Sequence, residues 1–272
     1  MGLRGTIPSI DLIPPEVARN LIGVFFDIDD TFTTRGKIPS KAYQALWRLR
    51  ASRLRAVPIT GRPAGWCDHI ARMWPVDGVV GENGAFYFWF DEKERRLKKR
   101  FLDPEEVRAE KRRRLMDLGR EILASVPGSA LSSDQLYRET DLAIDYCEDV
   151  EPLGRDAVDR ICGIFRQNGA VCKVSSIHVN GWFGSYDKLG MTATLVREQW
   201  GLDLERTRDR FLFCGDSPND EPMFRFFPYT AGVENVLRFA DRMENLPAFV
   251  AGQEGGEGFA EIVEVIIRHR EG

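Results

Sequence analysis

The stretch Leu21-Ile-Gly-Val-Phe-Phe26 runs straight into Asp27-Ile-Asp29-Asp30-Thr31. A continuous apolar run of this kind suits a strand covered on both faces in a parallel sheet. Its carboxylates then stand at the carboxyl end, where open α/β sheets gather ligands. The run is too short for a membrane span or a signal segment, so a soluble, cytoplasmic protein without membrane contact is expected. A helical pattern follows from Ser40, an N-cap type residue, with Ala42, Ala45, Leu46, Leu49 and Leu54 at helical spacing. A short strand over 56–60, a helix over 63–73 with Pro63 near its first turn, and a strand over 78–83 complete the alternation. This order is that of an α/β fold with a doubly wound, mainly parallel, Rossmann-like sheet.

After Gly84 the texture changes. Residues 85–90 and 97–102 read as a hairpin, and Asp103-Pro104 opens a long charged helix reaching about Ser125. A strand over 142–147, a helix over 152–168, and strands over 170–175 and 177–183 give an α+β pattern. From Asp187 the alternation returns: a helix to Trp200, the strand 210–216, a short helix after Asn219, strands near 229–233 and 248–251, and a closing helix. The glycine cluster Gly252 to Gly258 reads as a loop. The division is therefore a core over 1–86 and 187–272, with an inserted α+β module over 87–186, in keeping with a chain of 272 residues.

A net charge of −4 argues against a general nucleic-acid binder. The basic clusters 93–100 and 111–114 read as a solvated hairpin and a helix face, or as attraction for an anionic ligand. Five cysteines, an odd number without a C-x-x-C pair, read as reduced core residues.

Four strand or helix ends carry chemistry. Asp27 and Asp29, two apart, can share a crevice while keeping different surroundings and hence different proton roles. With an ordinary carboxylate pKa, Asp27 is expected to be ionised and nucleophilic at neutral pH, whereas Asp29 as an acid would need a raised one. By itself the cluster also suits a metal-binding or capping loop without catalysis. Pro58-Ile-Thr60-Gly61-Arg62 ends the second strand with donors suited to phosphate oxygens. Lys188 opens the helix where the core resumes, and an ammonium there can neutralise charge shared by Asp27 and a phosphoryl group. Gly215-Asp216-Ser217-Pro218-Asn219-Asp220 ends another apolar strand with two carboxylates, a hard-oxygen pair suited to Mg²⁺.

In this order the four motifs resemble the haloacid dehalogenase superfamily, and the alternating layout extends the resemblance over nearly the whole core. The inserted module is similar to the C2-type cap, and Glu82-Asn83-Gly84-Ala85 resembles the type B subgroup. Its relatives include the sucrose-phosphatase, trehalose-phosphatase, mannosyl-phosphoglycerate phosphatase and Cof-type phosphatase families. The resemblance implies a Mg²⁺-dependent phosphomonoesterase acting on a small phosphorylated metabolite, a sugar or sugar-acid phosphate, through an aspartyl-phosphate. It implies Asp27 as nucleophile and metal ligand, and Asp29 as general acid and base that lends its carbonyl to the metal. Asp216 is implied as a further ligand, with Asp220 holding metal-bound water or Lys188. Thr60 is implied on the phosphoryl oxygen and Lys188 beside the aspartyl-phosphate. Gly61, Arg62, Asn83, His178 and Asn219 are the substrate-binding candidates.

The chain departs from the family pattern at Asp30, where glycine is common, and lacks the glycine-lysine-glycine that those sugar phosphatases carry around the lysine. The segment 175–186 mixes aromatic and hydrogen-bonding groups as sugar sites do, although His178 and Trp182 can equally pack the module's sheet. The rival readings are a phosphosugar mutase similar to the phosphomannomutases, and a non-catalytic metabolite-binding protein on the same scaffold. Partner expectations are a small phosphorylated substrate, no nucleic acid, and a monomer or homodimer.

Overall fold

The computed structural model describes residues 7–175 and 177–272; Ser176 of the sugar-site segment and residues 1–6 of the expected core lie outside them. A short helix α1 (Pro15–Asn20) precedes strand β1 (Gly23–Phe26), followed by α2 (Ser40–Ala51), β2 (Arg55–Pro58), α3 (Ala64–Met73) and β3 (Val79–Gly81). Then come β4 (Phe86–Asp91), β5 (Arg96–Phe101), α4 (Glu105–Ser125), β6 (Ala130–Leu131), β7 (Asp141–Asp145), α5 (Arg155–Gln167), β8 (Val171–Val174) and β9 (His178–Trp182). The last stretch holds α6 (Lys188–Trp200), α7 (Leu204–Thr207), β10 (Phe211–Gly215), α8 (Glu221–Phe226), β11 (Thr230–Gly232), β12 (Phe249–Val250) and α9 (Gly255–Glu271).

The main sheet has the order β12-β11-β10-β1-β2, and its strand pairs are all parallel. Side chains of β1 alternate between two apolar layers, as strand period dictates. Val24 and Phe26 join Leu46, Leu49, Phe259 and Ile266 under α2 and α9, whereas Phe25 joins Met191, Leu195 and Phe213 under α6. Each such side chain, fully buried, stabilises the fold by about 1.5–3 kcal/mol. Register matters most for function: Phe26 pairs with both Cys214 and Pro58. The three strands therefore end level, and the residues just beyond them, Asp27, Thr60 and Asp216, leave along one edge.

The second sheet, β6-β7-β9-β8, is antiparallel. One face packs on α4 and α5 through Leu115, Ile122, Ile144, Phe165 and Val179. The alternate residues of β9, His178 and Asn180, line a cavity shared with the main sheet's carboxyl edge.

Three expectations are corrected. The hairpin β4–β5, assigned to the inserted module, pairs through β4 with β3, which bridges to Ile59 beyond β2, and Phe86 and Phe88 pack on Cys67, Ile70 and Ala71 of α3. It therefore extends the core, because its aromatic face is completed only by that helix. The cluster Gly252 to Gly258 is not all loop, since α9 starts at Gly255. A Cβ on Gly255 would stand 2.6 Å from Thr33 O and one on Gly256 2.5 Å from Phe32 O, so these glycines permit close docking of the helix start on the acidic loop. Ser40 is the first residue of α2, with Pro39 at the cap position and no side-chain cap bond.

Cys67, Cys162 and Cys214 are buried, and Cys147 and Cys172 half-buried. Among the described residues, no helix is long and apolar enough to cross a membrane.

Candidate active site

Asp27 comes directly after the last residue of β1, and its backbone N–H donates to Cys214 O at 3.0 Å, which ties the acidic loop to the neighbouring strand. The next turn is tight: Phe32 N–H and Thr33 N–H both donate to Ile28 O, and Asp30 N–H donates to Thr33 Oγ1. Asp30 takes φ 56°, in the left-handed region. This explains physically why glycine suits that position.

Lys188, first residue of α6 behind the N-cap Asp187, is buried and donates to Asp27 Oδ1 at 2.6 Å and to Asp220 Oδ1 at 3.1 Å. Asp27, Asp216 and Asp220 each offer an oxygen, and these oxygens lie within 4.8 Å of one another. Asp216 accepts from Thr31 Oγ1 at 2.9 Å and from Asn235 Nδ2 at 3.3 Å, while its N–H donates to Asp220 Oδ2 at 3.1 Å. Three buried carboxylates facing one ammonium leave negative charge in excess, and hard oxygen donors this close suit a divalent cation.

The electrostatics reflect that crowding. Burial, then Asp220 and Asp29, push Asp27 up to about 7 against the pull of Lys188. This corrects the expectation of an ordinary carboxylate: without a cation, Asp27 is only partly ionised at neutral pH. Burial and its acidic neighbours likewise raise Asp216. Burial alone would lower Lys188, but Asp220 and Asp27 outweigh it and hold the ammonium charged.

Asp29 stands apart from the three. Its carboxylate accepts a fork from Arg62, with Nη2 to Oδ1 at 2.7 Å and Nε to both oxygens at 3.0 Å. Thr60 lies fully buried beneath this loop, and its hydroxyl oxygen accepts the Arg62 N–H at 3.0 Å. Gly61, Arg62, Asn83, His178 and Asn219 all line a cavity of about 950 Å³ over the acidic residues, between the main sheet's edge and the second module. Asn83 is held at φ 57° against Gly61, and Asn219 Oδ1 is buried without a hydrogen-bond partner. His178 Nε2 lies 2.8 Å from Glu148 Oε2 but outside hydrogen-bonding geometry, and burial, then Arg138, lower its pKa. Trp182 is buried and stacked on Tyr186, so it packs the module.

Residues 24–113 match the family model described as haloacid dehalogenase-like hydrolase. Over that stretch the chain is similar to the haloacid dehalogenase-like hydrolases. None of the curated proteins matches this chain in sequence at a significant level. Among solved structures it is similar to protein 0175 of Thermoplasma acidophilum, with 21% identity, 92% of this chain and 98% of that one covered, and a TM-score of 0.68. The C-terminal domain of trehalose-6-phosphate phosphatase from C. albicans is 15% identical, with 96% and 97% covered and a TM-score of 0.69. Sucrose-phosphatase from Synechocystis, solved with sucrose and phosphate, is 16% identical, with 92% and 98% covered and a TM-score of 0.61. At these identities the likeness is one of fold, and it runs through the second module as well as the core.

Several residues of the site escaped the sequence reading. Asn235, which braces Asp216 and accepts Gly255 N–H through Oδ1, lies just past the end of β11, so the strand-end rule that found Asp27 could have found it. Glu82 is fully buried and accepts from Ala64 N–H and Glu139 N–H at 2.9 Å and Thr140 N–H at 2.6 Å, while burial, then Asp141, push it up to about 7. Nothing in a lone Glu-Asn-Gly announces that role. Arg138 and Lys173 come from the second module, and no motif marks them.

Proposed function

We propose that this protein is a Mg²⁺-dependent phosphomonoesterase for a small phosphorylated metabolite, a sugar or sugar-acid phosphate. The observation that carries the reading is the close trio Asp27, Asp216 and Asp220, with Lys188 bridging Asp27 and Asp220 and with Asp27 and Asp216 lining the cavity between core and second module. Asp27 attacks phosphorus; the new bond joins a carboxylate oxygen to phosphorus as the bond to the ester oxygen breaks, giving an aspartyl-phosphate. Asp29 gives the departing oxygen its proton, then takes one from the water that attacks the aspartyl-phosphate and frees Asp27. Lys188 offsets charge on Asp27 and the transferred group. Asp27, Asp216 and Asp220 would hold Mg²⁺, which supplies charge neutralisation for the phosphoryl oxygens. Gly61, Arg62, Asn83, His178 and Asn219 orient the rest of the substrate.

Phosphate release over a panel of phosphorylated sugars, polyols, glycerates and nucleotides, with Mg²⁺ and with chelator, tests this. Asp27→Asn removes the nucleophile while nearly preserving shape, so that folded variant should be inactive. Undiminished release by it, or release indifferent to chelator, would sink the mechanism. An isomerised product without free phosphate would favour a mutase.

A further inference from the structure

Five charges of alternating sign run from the acidic loop into the second module: Asp29, Arg62, Asp134, Arg138 and Asp141. Arg62 forks onto Asp29, its Nη1 lies 3.8 Å from Asp134 Oδ2, and its guanidinium stacks 4.5 Å from the Trp66 ring centroid. Arg138 Nε and Nη2 donate to Asp134 at 2.9 and 3.2 Å, and Nη1 donates to Asp141 Oδ1 at 2.9 Å and to Gly61 O at 3.1 Å. Ser132 Oγ aims Asp134 at 2.6 Å, and Asn180 Nδ2 donates to Asp141 at 3.3 Å.

Arg138 is only 2% exposed. Burying a guanidinium is costly unless every charge around it is paired, and an apolar cluster would fill such a place at no such cost. What the row adds is direction. Arg138 grips the carbonyl of Gly61 and the carboxylate of Asp134 together, and so fixes Arg62 from both its backbone and its charged end. Arg62 in turn fixes Asp29, whose side chain is otherwise 37% exposed and free to turn. A bidentate fork transmits orientation as well as charge. Asp134, Arg138 and Asp141 belong to the second module, whereas Asp29, Gly61 and Arg62 belong to the core.

We propose that Asp134 and Arg138 are positioning residues for Asp29, acting through Arg62, so that the proton-transferring carboxyl is set in place by seating of the second module on the Thr60-Gly61-Arg62 loop. The inference rests on the phosphoryl-transfer reading above. It separates positioning from substrate binding: in the step that forms the aspartyl-phosphate, a leaving group that needs a proton should feel the row, and one that departs without a proton should not.

The test compares Asp134→Asn with the unaltered protein on two esters in Mg²⁺: the best alkyl phosphate of the panel, and p-nitrophenyl phosphate, whose phenolate leaves unaided. A near-isosteric amide keeps the fold but loosens Arg62, so kcat/KM, which reads phosphoryl transfer to Asp27 and not the later hydrolysis of the aspartyl-phosphate, should fall about 10- to 100-fold on the alkyl ester and less than about threefold on p-nitrophenyl phosphate. Ser132→Ala, which loosens Asp134 without stranding a charge, should move the same ratio in the same direction; it decides the matter if Asp134→Asn does not fold. Equal losses of kcat/KM on both esters, or no change in either, would overturn the inference. An unaltered protein inactive on both esters would overturn the phosphoryl-transfer reading, and the inference with it.

Discussion

Lys188 and Asp27, 161 positions apart in the chain, meet at 2.6 Å in a buried ion pair at the head of α6 and the foot of the acidic loop. Neither charge would be tolerated there alone, since removing one partner leaves the other buried and uncompensated. The pair therefore links the two halves of the core that the second module separates in sequence.

Lys188→Met keeps most of the stem and removes the charge. Asp27, Asp216 and Asp220 would then face one another without an ammonium. Turnover should fall about 10²- to 10³-fold, the scale of a lost electrostatic donor. The Asp27 pKa should rise further, because Lys188 is what pulls it down. Steady-state rates across pH would check both, and an unchanged rate would remove Lys188 from the mechanism.

Mg²⁺ should protect the fold more strongly at pH 8 than at pH 5. Asp27 is raised from 3.8 to about 7 by burial, so the folded chain holds a proton that the unfolded chain gives up more readily. On this account the metal-free fold is most favoured below about pH 4, and the contribution is lost as pH rises through about 7. A cation binds the ionised form and competes with that proton, so its affinity grows over the same window. Thermal unfolding with Mg²⁺ and with chelator at the two pH values reads the difference directly; equal gains at both would contradict the site.

Gly84→Ala should damage both stability and rate. Gly84 sits at φ +105°, and a Cβ there would stand 2.0 Å from Asp187 O. Asp187, the residue before Lys188, caps α6 by accepting Gly190 N–H at 2.7 Å. Strain and overpacking together should cost about 3 kcal/mol in urea unfolding, with a fall in kcat as Lys188 shifts. A variant as stable as the original would show that this contact is slack.

The acidic half of the candidate site was legible in the sequence because it lies where strands end. A parallel strand covered on both faces must be a short apolar run, and the residues immediately after it must reach the ligand edge. Asp27, Thr60 and Asp216 could thus be placed by pattern alone. The hairpin β4–β5 could not, because an amphipathic hairpin packs as well on one module as on another. Only the pairing of β4 with β3 and the aromatic contact with α3 decide its place.

The sequence by itself determined the alternating core, the four motifs and the presence of an α+β insertion, all of which rest on local period and on residue type at element ends. Tertiary structure alone decided the rest. It raised Asp27 to about 7 by burying it beside Asp220 and Asp29 against the pull of Lys188, and it strung Asp29, Arg62, Asp134 and Arg138 into one row. Desolvation and charge pairing depend on which side chains meet in space, and groups over a hundred positions apart carry no mark in the chain that they will do so.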